Sequence, residues 1–181
     1  MRAALLGCLL FVGTGESFAH RLDEYLQATR IAIATNCIDL TFELTPGVAV
    51  SGKALELIDP DRNGRISDDE GNAYAQRFLK DLKLVLDGKA AAMNMTSVSF
   101  PAVQEIRSGT GAIRIRATSE VGSLNVGSHV LGLKNSHLPG ISVYLVNALR
   151  STDPAVEIGR QTRDELQKEY QLEFRVGPAK P

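Results

Sequence analysis

LQATRIAIATNCIDLTFEL, residues 26–44, contains two alternating, β-branched runs, Leu26 to Ala34 and Cys37 to Leu44, with Thr35-Asn36 between them. Successive strand side chains point to opposite faces, so alternation marks a half-buried strand, and two such runs around a short polar pair read as a hairpin. In the second run Ile38, Leu40, Phe42 and Leu44 share one parity and Cys37 takes the other, which by phase alone puts the thiol on the polar face. Strand-end residues often break phase and a free cysteine packs as a small hydrophobe, so a core position is expected for it.

Thr45-Pro46-Gly47 should end the second strand. Beyond it, Val50, Ala54, Leu55, Leu57 and Ile58 fall on a short helical pattern within Val48 to Ile58, and Tyr74, Ala75, Phe78, Leu79 and Leu82 predict a helix from about Asp68 to Leu82. Period two then returns. Lys83 to Leu86, the Asp87-Gly88 turn and the residues from Lys89 read as a hairpin. Ala112 to Arg116, His129 to Leu133, Ile141 to Leu149 and the alternating Tyr170, Leu172, Phe174 and Val176 supply further strands, while Gln161 to Lys168 fits a helical turn or two. Strands on both sides of a helical pair predict an α+β class: an antiparallel, Ig-like β-sandwich with a helix-loop-helix inserted at about residues 47–82. A single domain is expected over 20–176, with a tail at 177–181.

The 181 residues are 44% hydrophobic, enough for a core without disulfides, and 20 basic against 21 acidic residues leave a formal charge of −1. No bulk field therefore draws the chain to nucleic acid or an anionic membrane. Residues 1–19 read as a signal peptide: Arg2 is the positive n-region, Ala3 to Val12 the apolar stretch, and Ser17-Phe18-Ala19 a cleavage site after Ala19. A lipoprotein reading of Leu5-Leu6-Gly7-Cys8 leaves too short an apolar segment before the cysteine. The expected location is periplasmic or secreted. Cleavage would leave Cys37 alone, without an intramolecular disulfide partner. No later segment has the apolar length to cross a bilayer, so a soluble mature chain is expected.

DPDRNGRISDDE, residues 59–70, concentrates acidic side chains around one glycine. A hard divalent cation takes six to eight oxygens, and a twelve-residue EF-hand loop supplies them at alternating positions with a glycine at the sixth. The expected calcium ligands are Asp59, Asp61 and Asn63, the Arg65 carbonyl, Ser67 directly or through water, and a bidentate Glu70. Gly64 makes the turn and Ile66 anchors the loop to the core. A polar turn with a capping box over Ser67 to Glu70 explains the second half alone and gives no reason for Asp59 and Asp61. No second loop of this kind is visible, and Arg62 and Arg65 dilute the negative field, so weak affinity is expected, roughly 0.1 to 1 mM.

Taken with that loop, Ala19 to Thr29 (AHRLDEYLQAT), Leu44 to Val50 (LTPGVAV) and Ile141 to Leu149 (ISVYLVNAL) resemble a family of exported bacterial proteins with a single EF-hand. Similar extracytoplasmic modules accompany membrane proteins of the HupE/UreJ type, thought to be nickel or cobalt permeases. The resemblance covers nearly all of the mature chain and implies an exported calcium-binding domain with such a membrane protein as partner. This chain has no transmembrane helices of the fused form, so a transport role of its own is not implied.

A rival reading rests on His20, which cleavage would leave as the N-terminus, where its amine and ring could chelate copper or nickel together, with His129 or His137 completing the site. Against it, His129 and His137 read as polar residues at strand edges. Arg107, Arg114 and Arg116 read as a solvated face, since Ile113 and Ile115 alternate with the last two. No nucleophile with an evident base, no phosphate-cradling loop and no acid pair outside residues 59–70 is apparent, so no enzymatic activity is expected.

Overall fold

The computed structural model describes residues 23–178. The expected signal peptide, His20 and the last three residues of the tail lie outside them. The leading hairpin is present: β1 (Tyr25–Ile33) and β2 (Cys37–Pro46) pair antiparallel, with Ile33 opposite Ile38. β2 runs two residues past its predicted end at Leu44, into the expected break. β6 stops pairing with β2 at Leu44, so Pro46 has a strand neighbour on one side only, where a missing N–H is tolerated.

Two helices follow, α1 (Ser51–Ile58) and α2 (Asp68–Lys80), then β3 (Leu82–Leu86) and β4 (Lys89–Ala91). α2 ends before Leu82, which already belongs to β3. The turn between β3 and β4 has Asp87 at φ 49° and Gly88 at φ 79°, the double left-handed conformation of a type I′ hairpin. The chain continues through β5 (Asn94–Ser99), a short helix α3 (Val103–Arg107), β6 (Ile113–Glu120), β7 (Gly127–Asn135), β8 (Ser142–Ala148), β9 (Val156–Arg163) and β10 (Glu169–Val176). Gln161 to Arg163 are thus strand, where a helical turn was expected.

The ten strands form two five-stranded sheets, ordered β5-β6-β2-β1-β8 and β4-β3-β7-β10-β9. Their inward residues, among them Ile31, Leu40, Phe42 and Ile115 from the first and Leu84, Leu131, Leu172 and Phe174 from the second, join one hydrophobic core. The architecture is β-rich and consistent with a β-sandwich. It is not wholly antiparallel: β1 and β8 run parallel, Tyr25 opposite Ser142. Parallel neighbours need a long crossover, and here the whole domain between β1 and β8 supplies it.

The free edge of β8 is covered by side chains of β9. Arg163 donates from Nε to the Val146 carbonyl at 3.1 Å and from Nη2 to Asn147 Oδ1 at 2.8 Å, and Gln161 Oε1 accepts the Ala148 N–H at 3.2 Å. At that corner the two sheets are tied together and an edge is closed to other strands. α2 packs against β5 and β3, with the Phe78 ring edge-on to Phe42 of β2 at 5.0 Å between centroids. No helix among the described residues is long and apolar enough to cross a membrane.

Candidate metal centre

The acidic loop hangs between α1 and α2, and both helices are anchored through apolar residues: Ala54, Leu55 and Ile58 from α1, Tyr74, Ala75 and Phe78 from α2. Asp59 follows Ile58 directly, and its N–H still donates to the Leu55 carbonyl at 2.8 Å. Its side chain is consequently drawn inward and is only 3% exposed. The chain then reverses through Arg62 at φ 59° and Gly64 at φ 80°. For Gly64 that conformation carries no Cβ penalty, which explains the glycine at this position. Half-buried Ile66 packs against the core and brings the chain to Ser67, the N-cap of α2.

Within the loop the carboxylates are held by backbone amides. Asp59 accepts the Asn63 N–H on Oδ1 at 3.2 Å and the Gly64 N–H on Oδ2 at 3.1 Å. Asp61 accepts the Asn63 N–H on Oδ1 at 3.1 Å and the Asn63 side-chain amide on Oδ2 at 2.7 Å. Glu70 folds back on the cap: its Oε2 accepts from the Ser67 N–H at 2.9 Å and from the Ser67 hydroxyl at 2.7 Å. The Ser67 hydroxyl in turn accepts the Glu70 N–H, completing a capping box.

One oxygen each from Asp59, Asp61 and Glu70 lies within 4.8 Å of the others. Oxygens bound to one calcium ion at 2.3–2.6 Å can be no more than about 5 Å apart, so the three carboxylates fit around a single cation of that kind. Among the described residues none of the three forms an ion pair with Lys, Arg or His. Burying a carboxylate as fully as Asp59 requires compensation, and two neutral amides supply it only in part. The chemistry of the donor set is hard oxygen throughout, which suits calcium or magnesium over copper or nickel.

The other expected ligands are placed less directly. Asn63 is engaged inside the loop, giving its amide nitrogen to Asp61 and taking the Arg65 N–H on Oδ1 at 2.8 Å. Ser67 is engaged with Glu70. Arg65 is exposed and enters the described bonding through its own N–H. As arranged, Asn63 and Ser67 orient the carboxylates.

The histidines depart from expectation. Neither is a solvated strand-edge residue: His129 is 8% exposed and His137 fully buried. Both ring nitrogens of each are bonded within the chain. Cys37 is half-buried and sits on the outward parity of β2, opposite to Ile38 and Leu40, so it is not a core residue. Arg107, Arg114 and Arg116 are exposed as expected, and Arg114 pairs with Glu43 at 3.4 Å.

A second polar cluster was not anticipated. His137, in the β7–β8 connection, places Nδ1 2.8 Å from Asp81 Oδ2 and Nε2 3.1 Å from the Tyr74 hydroxyl, which lies 2.5 Å from that of Tyr25. The His137 carbonyl accepts from Gln27 Nε2 at 3.0 Å and from the Tyr144 hydroxyl at 3.0 Å, and Asn135 Nδ2 donates to Gln27 Oε1 at 2.8 Å. One signal was available in the sequence. Gln27 has the inward parity of Tyr25 and Ile31, and an amide buried among apolar neighbours must find partners. No protein-family model matches this chain, and no curated protein matches it.

Proposed function

We propose that this chain is an exported calcium-binding domain in which a single EF-hand, Asp59 to Glu70, is inserted into an Ig-like sandwich between β2 and β3. It works as a structural staple or interaction module, and not as an enzyme. The observation that carries the reading is the convergence of Asp59, Asp61 and Glu70 within 4.8 Å, without a basic partner, between two core-anchored helices. A cation there would offset the mutual repulsion of the carboxylates and fix α1 relative to α2. Against catalysis stands the closure of His137, which has both a carboxylate and a hydroxyl beside it but is fully buried and has no access to a substrate. The resemblance described above makes a HupE/UreJ-type membrane protein the partner we propose, with export following the leader at residues 1–19.

The test is calorimetric titration of the metal-stripped protein with calcium beside a Glu70→Gln variant. The expected result is saturable binding with a Kd of roughly 0.1 to 1 mM, lost in the variant. Absence of binding in the wild type, or equal binding by the variant, would leave the loop a capped turn. Copper and nickel titrated into the same samples address His20: tight binding of either, with no response to calcium, would shift the function to the N-terminus.

A further inference from the structure

His137 joins the two sheets to the helix that carries Glu70. Its ring nitrogens contact Tyr74 and Asp81, seven residues apart on one face of α2, and the ring stands edge-on to Phe78 between them at 5.2 Å. Of the polar side chains α2 presents inward, Tyr74 is the buried one, and Asp81 is the residue that caps the helix end. Both of these tethers therefore end on one imidazole.

The partners fix the direction of every hydrogen bond. A carboxylate only accepts, so Nδ1 carries the proton that goes to Asp81. In the neutral ring Nε2 must then accept, which makes Tyr74 the donor to it and Tyr25 the donor to Tyr74. The chain Tyr25 to Tyr74 to His137 to Asp81 is fully satisfied in that one arrangement. A proton on Nε2 reverses it: His137 would donate to Tyr74, Tyr74 to Tyr25, and the Tyr25 hydroxyl hydrogen, in a fully buried residue whose described bond is to Tyr74 alone, would have no acceptor.

We infer that His137 is a proton-controlled clamp on α2, such that its protonation loosens the helix bearing Glu70 and weakens cation retention in the loop, and cation binding in turn opposes its protonation. The inference rests on the calcium reading of that loop. The groups facing the ring from each element packed on it are Tyr25 from β1, Tyr74 and Arg77 from α2 with Asp81 at its end, and Tyr144 from β8. Burial holds the His137 ring below the ordinary histidine range, opposed by its hydrogen bond to Asp81 and aided by the Arg77 charge. Glu70 and Tyr74 are four residues apart, one turn of α2, so a shift of the clamped face moves the ligand with it.

Calcium titration at pH 7.5, 6.5 and 5.5, on the wild type and on His137→Gln, tests the inference together with a histidine NMR titration of the wild type. The expected result is at least a threefold loss of calcium affinity between pH 7.5 and 5.5 that His137→Gln removes. By reciprocity, saturating calcium should then lower the titration midpoint of His137 by about half a pH unit or more, a measurement independent of whether the variant folds. Wild-type affinity that does not change over this range, a loss that persists in full in His137→Gln, or a midpoint indifferent to calcium would each overturn the clamp while leaving the calcium site standing. No binding at pH 7.5 would remove the site itself and the clamp with it.

Discussion

Both ring nitrogens of His129 face acceptors, Nδ1 lying 2.7 Å from Asp87 Oδ2 and Nε2 2.8 Å from the Asn125 carbonyl, so the site is built for the imidazolium. The hydrogen bond to Asp87 raises its pKa above the ordinary histidine value of 6.5, with burial opposing and the Asn125 carbonyl assisting. Its contribution to stability is full below that value and is lost as pH rises through the elevated folded value. His137 has the opposite sign: its pKa is lowered, so its contribution is full above 6.5 and is lost as pH falls through the depressed folded value. Ring-proton NMR should accordingly show His129 titrating above 6.5 and His137 below it, and a reversed order would contradict both assignments. Tyr74→Phe removes the middle of the buried chain, leaving the Tyr25 hydroxyl and His137 Nε2 unpaired. We predict a loss of about 1–3 kcal/mol in urea unfolding, the cost of an unsatisfied buried polar group; a change within error would mean that the cluster contributes nothing to stability.

β9 and β10 approach so closely at Gly159 that an added Cβ would lie 2.7 Å from the Glu173 carbonyl oxygen, next to the register shift between Leu172 and Phe174. Backbone in a paired strand cannot yield cheaply, so Gly159→Ala should cost about 1–3 kcal/mol by chemical denaturation. Gly52 has open space around its Cβ position on a helix, and Gly52→Ala should stabilise by up to about 1 kcal/mol. Regular alternation in burial decides which strands are legible in the sequence. β1, β2, β6 and β10 bury every second residue, and their alternation is plain. In β9 only Val156 is buried, and Gly159 breaks the run, so no period survives to be read. β5 is masked differently: a bulge between Met95 and Ser97 sets Met95 and Val98 opposite the inward Ala117 and Ile115, a spacing of three that mimics a helix. The parallel pairing of β1 with β8 leaves no local trace, because it depends on where the chain returns after most of the domain has been built.

Across the whole molecule, the loop ligands and the clamp behind them differ in legibility because they differ in sequence range. Asp59, Asp61 and Glu70 lie within twelve residues, and turn geometry alone brings them together. Tyr25, the α2 pair Tyr74 and Asp81, and His137 come from three separate parts of the chain, and only the packing of α2 over both sheets makes them neighbours. If the loop holds calcium, the ion ties α1 and α2 to each other at one end while the clamp ties α2 to the sheets at the other, and stability should respond to the ion as a whole-domain property. The direct measurement is thermal unfolding of the protein in 1 mM calcium against chelator, with Glu70→Gln alongside. For a Kd near the middle of the expected range, mass action gives about 1 kcal/mol, or a rise in Tm of about 2–4 °C for a domain of this size. A calcium-filled loop gives that rise in the wild type and none in Glu70→Gln. Equal melting in calcium and chelator, or an equal rise in the variant, would contradict it.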